Sequence, residues 1–145
     1  MLRGRFGDTT GRPYIEGRLI VPGQGLSSNL SFLVDTGADR TMLMPADARQ
    51  MGLDYSQLTR RTESVGIGGA SLNFVEQATL VFLEPERFLQ VYVIDIRIAA
   101  PSLEIMDLPS LLGRDVLDRW RMTYDPQRGL LTFRVRTADQ RIRVR

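Results

Sequence analysis

Hydrophobic and polar positions alternate with period two along most of the chain, and turn residues separate the alternating runs. Tyr14 to Val21 reads as a first strand, closed by Pro22-Gly23-Gln24-Gly25. Asn29 to Val34 reads as a second and runs straight into Asp35-Thr36-Gly37. Thr41 to Met44 is short and apolar. Pro45 then opens a brief helix that Gly52 stops, proline in the first turn and glycine past the end being the order that helices favour. Thr62 to Val65 leads into the glycine-rich stretch Gly66-Ile67-Gly68-Gly69, and Ser71 to Leu83 leads out of it. Glu84-Pro85-Glu86 predicts a turn, Phe88 to Ile96 another strand, and Ala99 to Pro109 a loop. Leu111-Leu112-Gly113 precedes a short helical piece from Arg114 to Trp120. Arg121 to Tyr124 and Leu130 to Val135 predict a hairpin around Asp125-Pro126-Gln127-Arg128-Gly129. Within it Leu131, Phe133 and Val135 alternate with Leu130, Thr132 and Arg134, so one face can bury. No repeat, low-complexity linker or composition shift interrupts this pattern. It predicts one all-β domain over residues 1–145, with its core at about 13–136 and a basic tail at 137–145.

Composition narrows the chemistry. The hydrophobic and charged fractions, 43% and 25%, are those of an ordinary globular protein, and 145 residues can bury a sizeable core. No run of eighteen apolar residues occurs, so no membrane span is expected. The start MLRGRFGDTTGRPY is basic but lacks an apolar stretch and a small-residue cleavage site, so it does not read as a secretory signal. The chain has no cysteine, which removes disulfides, thiolate metal sites and cysteine nucleophiles and suits a reducing compartment, so a cytoplasmic location is expected. It has no histidine either, which removes serine–histidine triads, histidine-ligated zinc and a histidine base within one chain. All 19 basic residues are arginine, so a Schiff-base or P-loop lysine is also absent. Acid–base chemistry must fall to carboxylates, tyrosines or arginines. Five arginines lie between Arg134 and Arg145. They could mark a nucleic-acid or membrane patch, but no aromatic residue interleaves them beyond Phe133. A solvated edge strand with a frayed terminus is the plainer expectation, with neither nucleic acid nor membrane as a partner.

One carboxylate stands out. Asp35 ends an apolar run, Ser31 to Val34, and Gly37 beside it lets the backbone turn sharply. An ionised carboxylate at such a site costs too much to bury alone; it must pair, be protonated or meet another carboxylate. Taken alone, Asp-Thr-Gly is an ordinary turn between strands. Two further elements keep it company: the glycine-rich Val65-Gly66-Ile67-Gly68-Gly69-Ala70, and Ser110-Leu111-Leu112-Gly113-Arg114-Asp115-Val116-Leu117.

Here the chain resembles a family. FLVDTGADRTML resembles the active-site strand of retropepsin-like aspartic proteases. SVGIGGAS looks like their flap, and PSLLGRDVL is similar to their apolar-apolar-Gly-Arg element with its short helix. The three occur in the family's order from Leu30 to Leu117. The resemblance implies a closed β-barrel-like fold with a glycine-rich flap hairpin and one or two short helices. It implies that Asp35 is the catalytic aspartate and that Thr36 locks the active-site loops across a dimer axis. It further implies that Gly37 contacts substrate backbone, with Ala38 in the same supporting loop, and that Asp39 and Arg114 form a bracing ion pair. Gly66, Ile67, Gly68 and Gly69 would be the flap tip over the substrate, and no metal or cofactor is implied. The chain departs from compact viral members in its longer spacing between Asp35 and Gly113. It also adds a hairpin and an arginine-rich tail beyond Leu117, features closer to bacterial relatives.

Only one Asp-Thr-Gly occurs: in Asp8-Thr9-Thr10-Gly11 the glycine is displaced, and Asp125 precedes proline. A two-carboxylate site therefore needs a homodimer with Asp35 meeting its symmetry mate. The expected function is aspartic endopeptidase, acting on peptide or protein substrates through a water activated by the two Asp35 carboxylates. The alternative is a non-catalytic dimerisation or peptide-binding module on the same fold. A small basic RNA-binding barrel is a third reading, but it lacks the aromatic-basic face that it needs.

Overall fold

The computed structural model describes residues 1–66 and 69–145, leaving aside the side chains of 64–66, 69 and 70. In chain order its elements are β1 (Leu2–Arg3), β2 (Arg5–Phe6), β3 (Pro13–Val21), β4 (Leu26–Val34), β5 (Met42–Leu43) and α1 (Pro45–Met51). Then come β6 (Arg61–Gly66), β7 (Gly69–Leu83), β8 (Phe88–Ala99), β9 (Leu111–Leu112), α2 (Arg114–Leu117), β10 (Trp120–Asp125), β11 (Leu130–Val135) and β12 (Gln140–Arg143). Strand dominates, as the period-two pattern requires.

Six strands close a barrel. β3 pairs antiparallel with β4 on one side and with β7 on the other. β7 continues antiparallel to β8, and β8 runs parallel to β5. β9 joins β5 to the end of β4 and completes the circuit. Closure satisfies backbone groups that an open sheet would leave at its edges. The interior takes alternate residues from each strand: Ile15, Leu19 and Val21 from β3, Leu30, Phe32 and Val34 from β4, and Ala78, Leu80 and Phe82 from β7. Each large apolar side chain buried in this way contributes about 1.5–3 kcal/mol.

A smaller sheet in the order β1, β11, β10 covers one end. Leu131 and Phe133 face inward from β11, while Leu130 is exposed, which is the alternation read from the sequence. Leu2 of β1 pairs with Phe133 and is buried in the same core cluster. Trp120, Phe82, Tyr92 and Phe133 form a set of edge-on and tilted ring contacts where this sheet meets the barrel. The Trp120 indole N–H donates to the Tyr92 hydroxyl at 2.6 Å, and that hydroxyl donates to the Thr137 carbonyl at 2.9 Å.

Several boundaries differ from the sequence reading, for identifiable reasons. β4 begins at Leu26 rather than Asn29, because Ser27 and Ser28 complete the ladder opposite Ile20 and Leu19. β8 runs on to Ala99, three residues beyond Ile96, paired opposite Asn73. The helical stretch expected as far as Trp120 stops at Leu117, since Trp120 is drawn into the aromatic cluster as the first residue of β10. Gln140–Arg143 is a solvated edge strand, antiparallel to β8 with Gln140 opposite Val91. Helix α1 obeys its punctuation: Pro45 is its first residue, and Gly52 caps it in the left-handed region at φ 81°.

Candidate active site

β4 delivers Asp35 to the point where the chain leaves the barrel. Phe32 and Val34 are buried, and the end of β4 is fixed by parallel pairing of Leu33 with Leu111 and Val34 with Leu112. The ladder extends one step past the strand, because the Asp35 N–H donates to the Leu112 carbonyl at 3.0 Å. The backbone of Asp35 is thus held by the barrel while its carboxylate stands half-buried at the rim. Its Oδ1 accepts the Gly37 N–H at 3.0 Å, and its carbonyl accepts the Ala38 N–H at 3.2 Å. These bonds turn the chain tightly around the carboxylate.

The sharp turn expected at Gly37 is present, held by the Gly37 and Ala38 N–H bonds to Asp35. It needs no left-handed backbone: among the described glycines the positive φ values belong to Gly11, Gly25, Gly52 and Gly129. What matters is approach: a Cβ on Gly37 would lie 3.3 Å from Asp35 Oδ1, tighter than most side-chain contacts.

The loop is tied to α2 at two levels. The Arg114 N–H donates to the Ala38 carbonyl at 2.9 Å, and the Arg114 Nη2 donates to Asp39 Oδ1. Asp39 and Arg114 are therefore brought together, both at the surface. Thr36 and Gly37 are exposed. Thr36 lines a shallow depression with Pro13, Val34, Met122 and Tyr124.

Behind this loop lies a polar knot that the sequence reading did not pick out. Thr41 is fully buried; its N–H donates to both oxygens of Asp115 at 3.0 Å, and its hydroxyl donates to Asp115 Oδ1 at 2.7 Å. The Gly113 N–H in turn donates to Thr41 Oγ1 at 3.1 Å. Gly113 is glycine because the backbone of Arg40 and Thr41 crosses it: a Cβ there would meet the Arg40 carbonyl carbon at 2.5 Å. Alongside, Ser110 Oγ accepts the Met44 N–H at 3.0 Å and donates to Asp47 Oδ2 at 2.6 Å, pinning α1 to the same corner. An aspartate in the first turn of a helix is already favoured by the helix dipole, so Asp115 carries no mark of its own in the sequence.

β6 and β7 form the hairpin expected to carry the flap, paired from Arg61 with Phe74 to Gly66 with Gly69. The tip itself, Ile67 and Gly68, lies outside the described residues.

Comparison with known proteins agrees with this arrangement. Residues 21–116 match the family described as aspartyl protease, a span holding Asp35, the β6–β7 hairpin and Gly113-Arg114. The chain belongs to the aspartyl protease family, and its fold is the retropepsin-like one. The fold is similar to that of a retropepsin-like aspartic protease from Rickettsia conorii, with TM-score 0.54 and 22% identity over 88% of this chain and 94% of that one. It is also similar to EIAV protease, there complexed with the inhibitor HBY-793, with TM-score 0.50 and 22% identity over 77% of this chain and 90% of that one. No curated protein gives a significant match. Among the described residues, no helix is long and apolar enough to cross a membrane.

Proposed function

We propose that the chain is an endopeptidase that works as a homodimer, each copy supplying Asp35 to one shared site. The observation that carries this reading is a single aspartate at the barrel rim, its backbone N–H held by the Leu112 carbonyl and its carboxylate accepting the Gly37 N–H, in a chain with one Asp-Thr-Gly. Two carboxylates about 3 Å apart cannot both ionise, so the pair shares one proton. A water between them gives its proton to the ionised member, and its oxygen attacks the scissile carbonyl carbon. The protonated member donates to the carbonyl oxygen. Collapse of the tetrahedral intermediate breaks the C–N bond as the leaving nitrogen takes up a proton.

In this reading Thr36 joins the two loops across the axis, and Gly37 and Ala38 line the substrate side. Asp39 and Arg114 brace the loop, and Gly66, Ile67, Gly68 and Gly69 close over the peptide and exclude water. Residues 1–145 act as one domain, in a reducing location such as the cytoplasm. Digestion of a peptide library by wild type and Asp35→Asn tests the assignment. Cleavage by the wild type alone is expected, and equal cleavage by both proteins removes Asp35 from the chemistry.

A further inference from the structure

Away from the Asp35 rim, the outward face of the small sheet carries positive charge without a partner. Leu131 and Phe133 point from β11 into the core, so Arg3, Arg121, Thr123, Thr132 and Arg134 share the opposite face. The register sets them in rows. Arg121 lies directly opposite Arg134, Thr123 directly opposite Thr132, and Arg3 opposite Thr132 on its other side. Directly opposed residues have Cβ atoms about 4.5–5.5 Å apart and diagonal neighbours stand about 7–8 Å apart, within reach of an arginine side chain. Arg121, Thr123, Thr132 and Arg134, together with Met1, line a depression of about 180 Å³.

Like charges directly opposed across a ladder are destabilising. Neither Arg121 nor Arg134 has a carboxylate within ion-pair distance among the described residues. The acidic groups nearby in the fold serve other cations. Asp125, at the end of β10, lies 3.6 Å from Arg128 Nε, while Glu84 and Glu86 lie 3.4 and 2.9 Å from the Met1 ammonium. Charges that serve only solubility gain nothing from such direct opposition. We propose that this face is a binding site for a phosphate group, held between the Arg121 and Arg134 guanidinium forks and the Thr123 and Thr132 hydroxyls. A planar guanidinium matches phosphate oxygens two at a time, and a doubly charged anion removes the repulsion between the arginines as it binds. None of the five outward residues is aromatic, so no base can stack on them, and recognition falls to the phosphate itself. Met122 and Tyr124, which border the Thr36 depression, belong to the other side of β10. An occupied site therefore leaves the Asp35 rim open, and the inference stands apart from the peptidase reading.

The same chemistry is offered by inorganic phosphate in solution and by a phospholipid headgroup, and the test separates the two. Thermal midpoints are compared in sodium phosphate and in sodium chloride of equal ionic strength. The proteins are wild type, Arg121→Gln/Arg134→Gln and a control of equal charge loss, Arg12→Gln/Arg49→Gln. Wild type and control are expected to unfold about 3–6 °C higher in phosphate at roughly ten times its Kd, and Arg121→Gln/Arg134→Gln to show no such difference. Thr132→Val removes a hydroxyl and no charge, and is expected to weaken phosphate binding about ten-fold. In chloride, Arg121→Gln/Arg134→Gln is expected to unfold no earlier than wild type, because the repulsion goes with the arginines. The second arm is co-sedimentation with phosphatidylcholine vesicles, plain or containing phosphatidic acid. Capture of wild type and control by the acidic vesicles alone, lost in Arg121→Gln/Arg134→Gln, assigns the site to a headgroup. A midpoint shift without capture assigns it to a soluble phosphate ligand. Equal behaviour of wild type and Arg121→Gln/Arg134→Gln in both arms overturns the site, whether both respond or neither does. Loss of the response in Arg12→Gln/Arg49→Gln as well makes it an effect of net charge and overturns the site too.

Discussion

Thr41 gives both of its hydrogen-bond donors to Asp115, although the two residues stand 74 positions apart. That contact holds the segment after the Asp35 loop against the start of α2. Thr41 is wholly buried, so loss of the acceptor strands a backbone N–H and a hydroxyl without water. Asp115→Ala is expected to cost about 1–3 kcal/mol, read as a lower urea midpoint with unchanged slope. Asp115→Asn keeps an acceptor oxygen and is expected to fall between that variant and the wild type.

Gly113 presents a steric version of the same constraint. A methyl group would be driven into the Arg40 and Thr41 backbone, which cannot move aside as a flexible side chain can. Gly113→Ala is therefore expected to destabilise by about 1–3 kcal/mol or more. It is also expected to reduce cleavage in proportion to the displacement of the Asp35 loop. Equal thermal midpoints for Gly113→Ala and wild type would contradict this packing.

The proton shared by two carboxylates sets the pH response of the proposed reaction. Cleavage is expected to be greatest at mildly acidic pH and to fall on both sides, as the dyad loses its one proton or takes up a second. Asp35→Asn is expected to abolish cleavage across the whole profile while leaving the free energy of unfolding in urea within about 1 kcal/mol of wild type, since Asp35 is a half-buried rim residue.

Much of this arrangement was legible in the sequence because it is local. Period-two alternation reports which strand face is buried, so β3, β7, β8 and the β10–β11 hairpin were readable from Leu19, Phe82, Tyr92 and Phe133. Pro45 and Gly52 punctuate α1 through their own backbone preferences. Asp-Thr-Gly and Gly-Arg are short enough to recognise by type and order. The rest depends on pairing between distant segments. β1, β2 and β12 are two to four residues long, too short to show a period, and exist because Leu2 meets Phe133 and Gln140 meets Val91. The Thr41–Asp115 contact left no trace because buried threonine and first-turn aspartate each have ordinary local reasons.

The C-terminal segment makes a pH-dependent contribution to stability. The Asp139 carboxylate accepts the Val93 N–H at 2.7 Å and an Arg119 guanidinium N–H at 3.0 Å. The Val93 bond, with Arg119 beside it, holds the carboxyl below its ordinary value of 3.8, against a smaller opposing effect of burial. A proton is thus bound less readily in the folded chain than in the unfolded one. The stabilisation is present in full above the unfolded value and is lost as pH falls through the lowered folded value. The urea-midpoint difference between wild type and Asp139→Ala is expected to be constant near neutrality and to shrink below about pH 4. A difference that persists undiminished at pH 2 would show that the carboxylate charge is not what holds this strand.

Asp39 and Arg114 separate the stability of one chain from the strength of its dimer. Their side chains are 80% and 47% exposed, and an ion pair so open to water contributes at most about 1 kcal/mol to folding. Backbone bonding already secures the same junction, through the Arg114 N–H and the Ala38 carbonyl. Arg114→Ala is therefore expected to leave the urea midpoint nearly unchanged. In the proposed dimer the loop it braces lies beside the axis, where water is displaced and the guanidinium fork would hold Asp39 more firmly. The expected signature is a dependence on concentration. Activity per chain in Arg114→Ala falls on dilution well before that of the wild type and approaches it again at high concentration, in step with the dimer fraction seen by sedimentation. An activity loss of equal size at every concentration would instead place Arg114 in the geometry of the loop itself, independent of association.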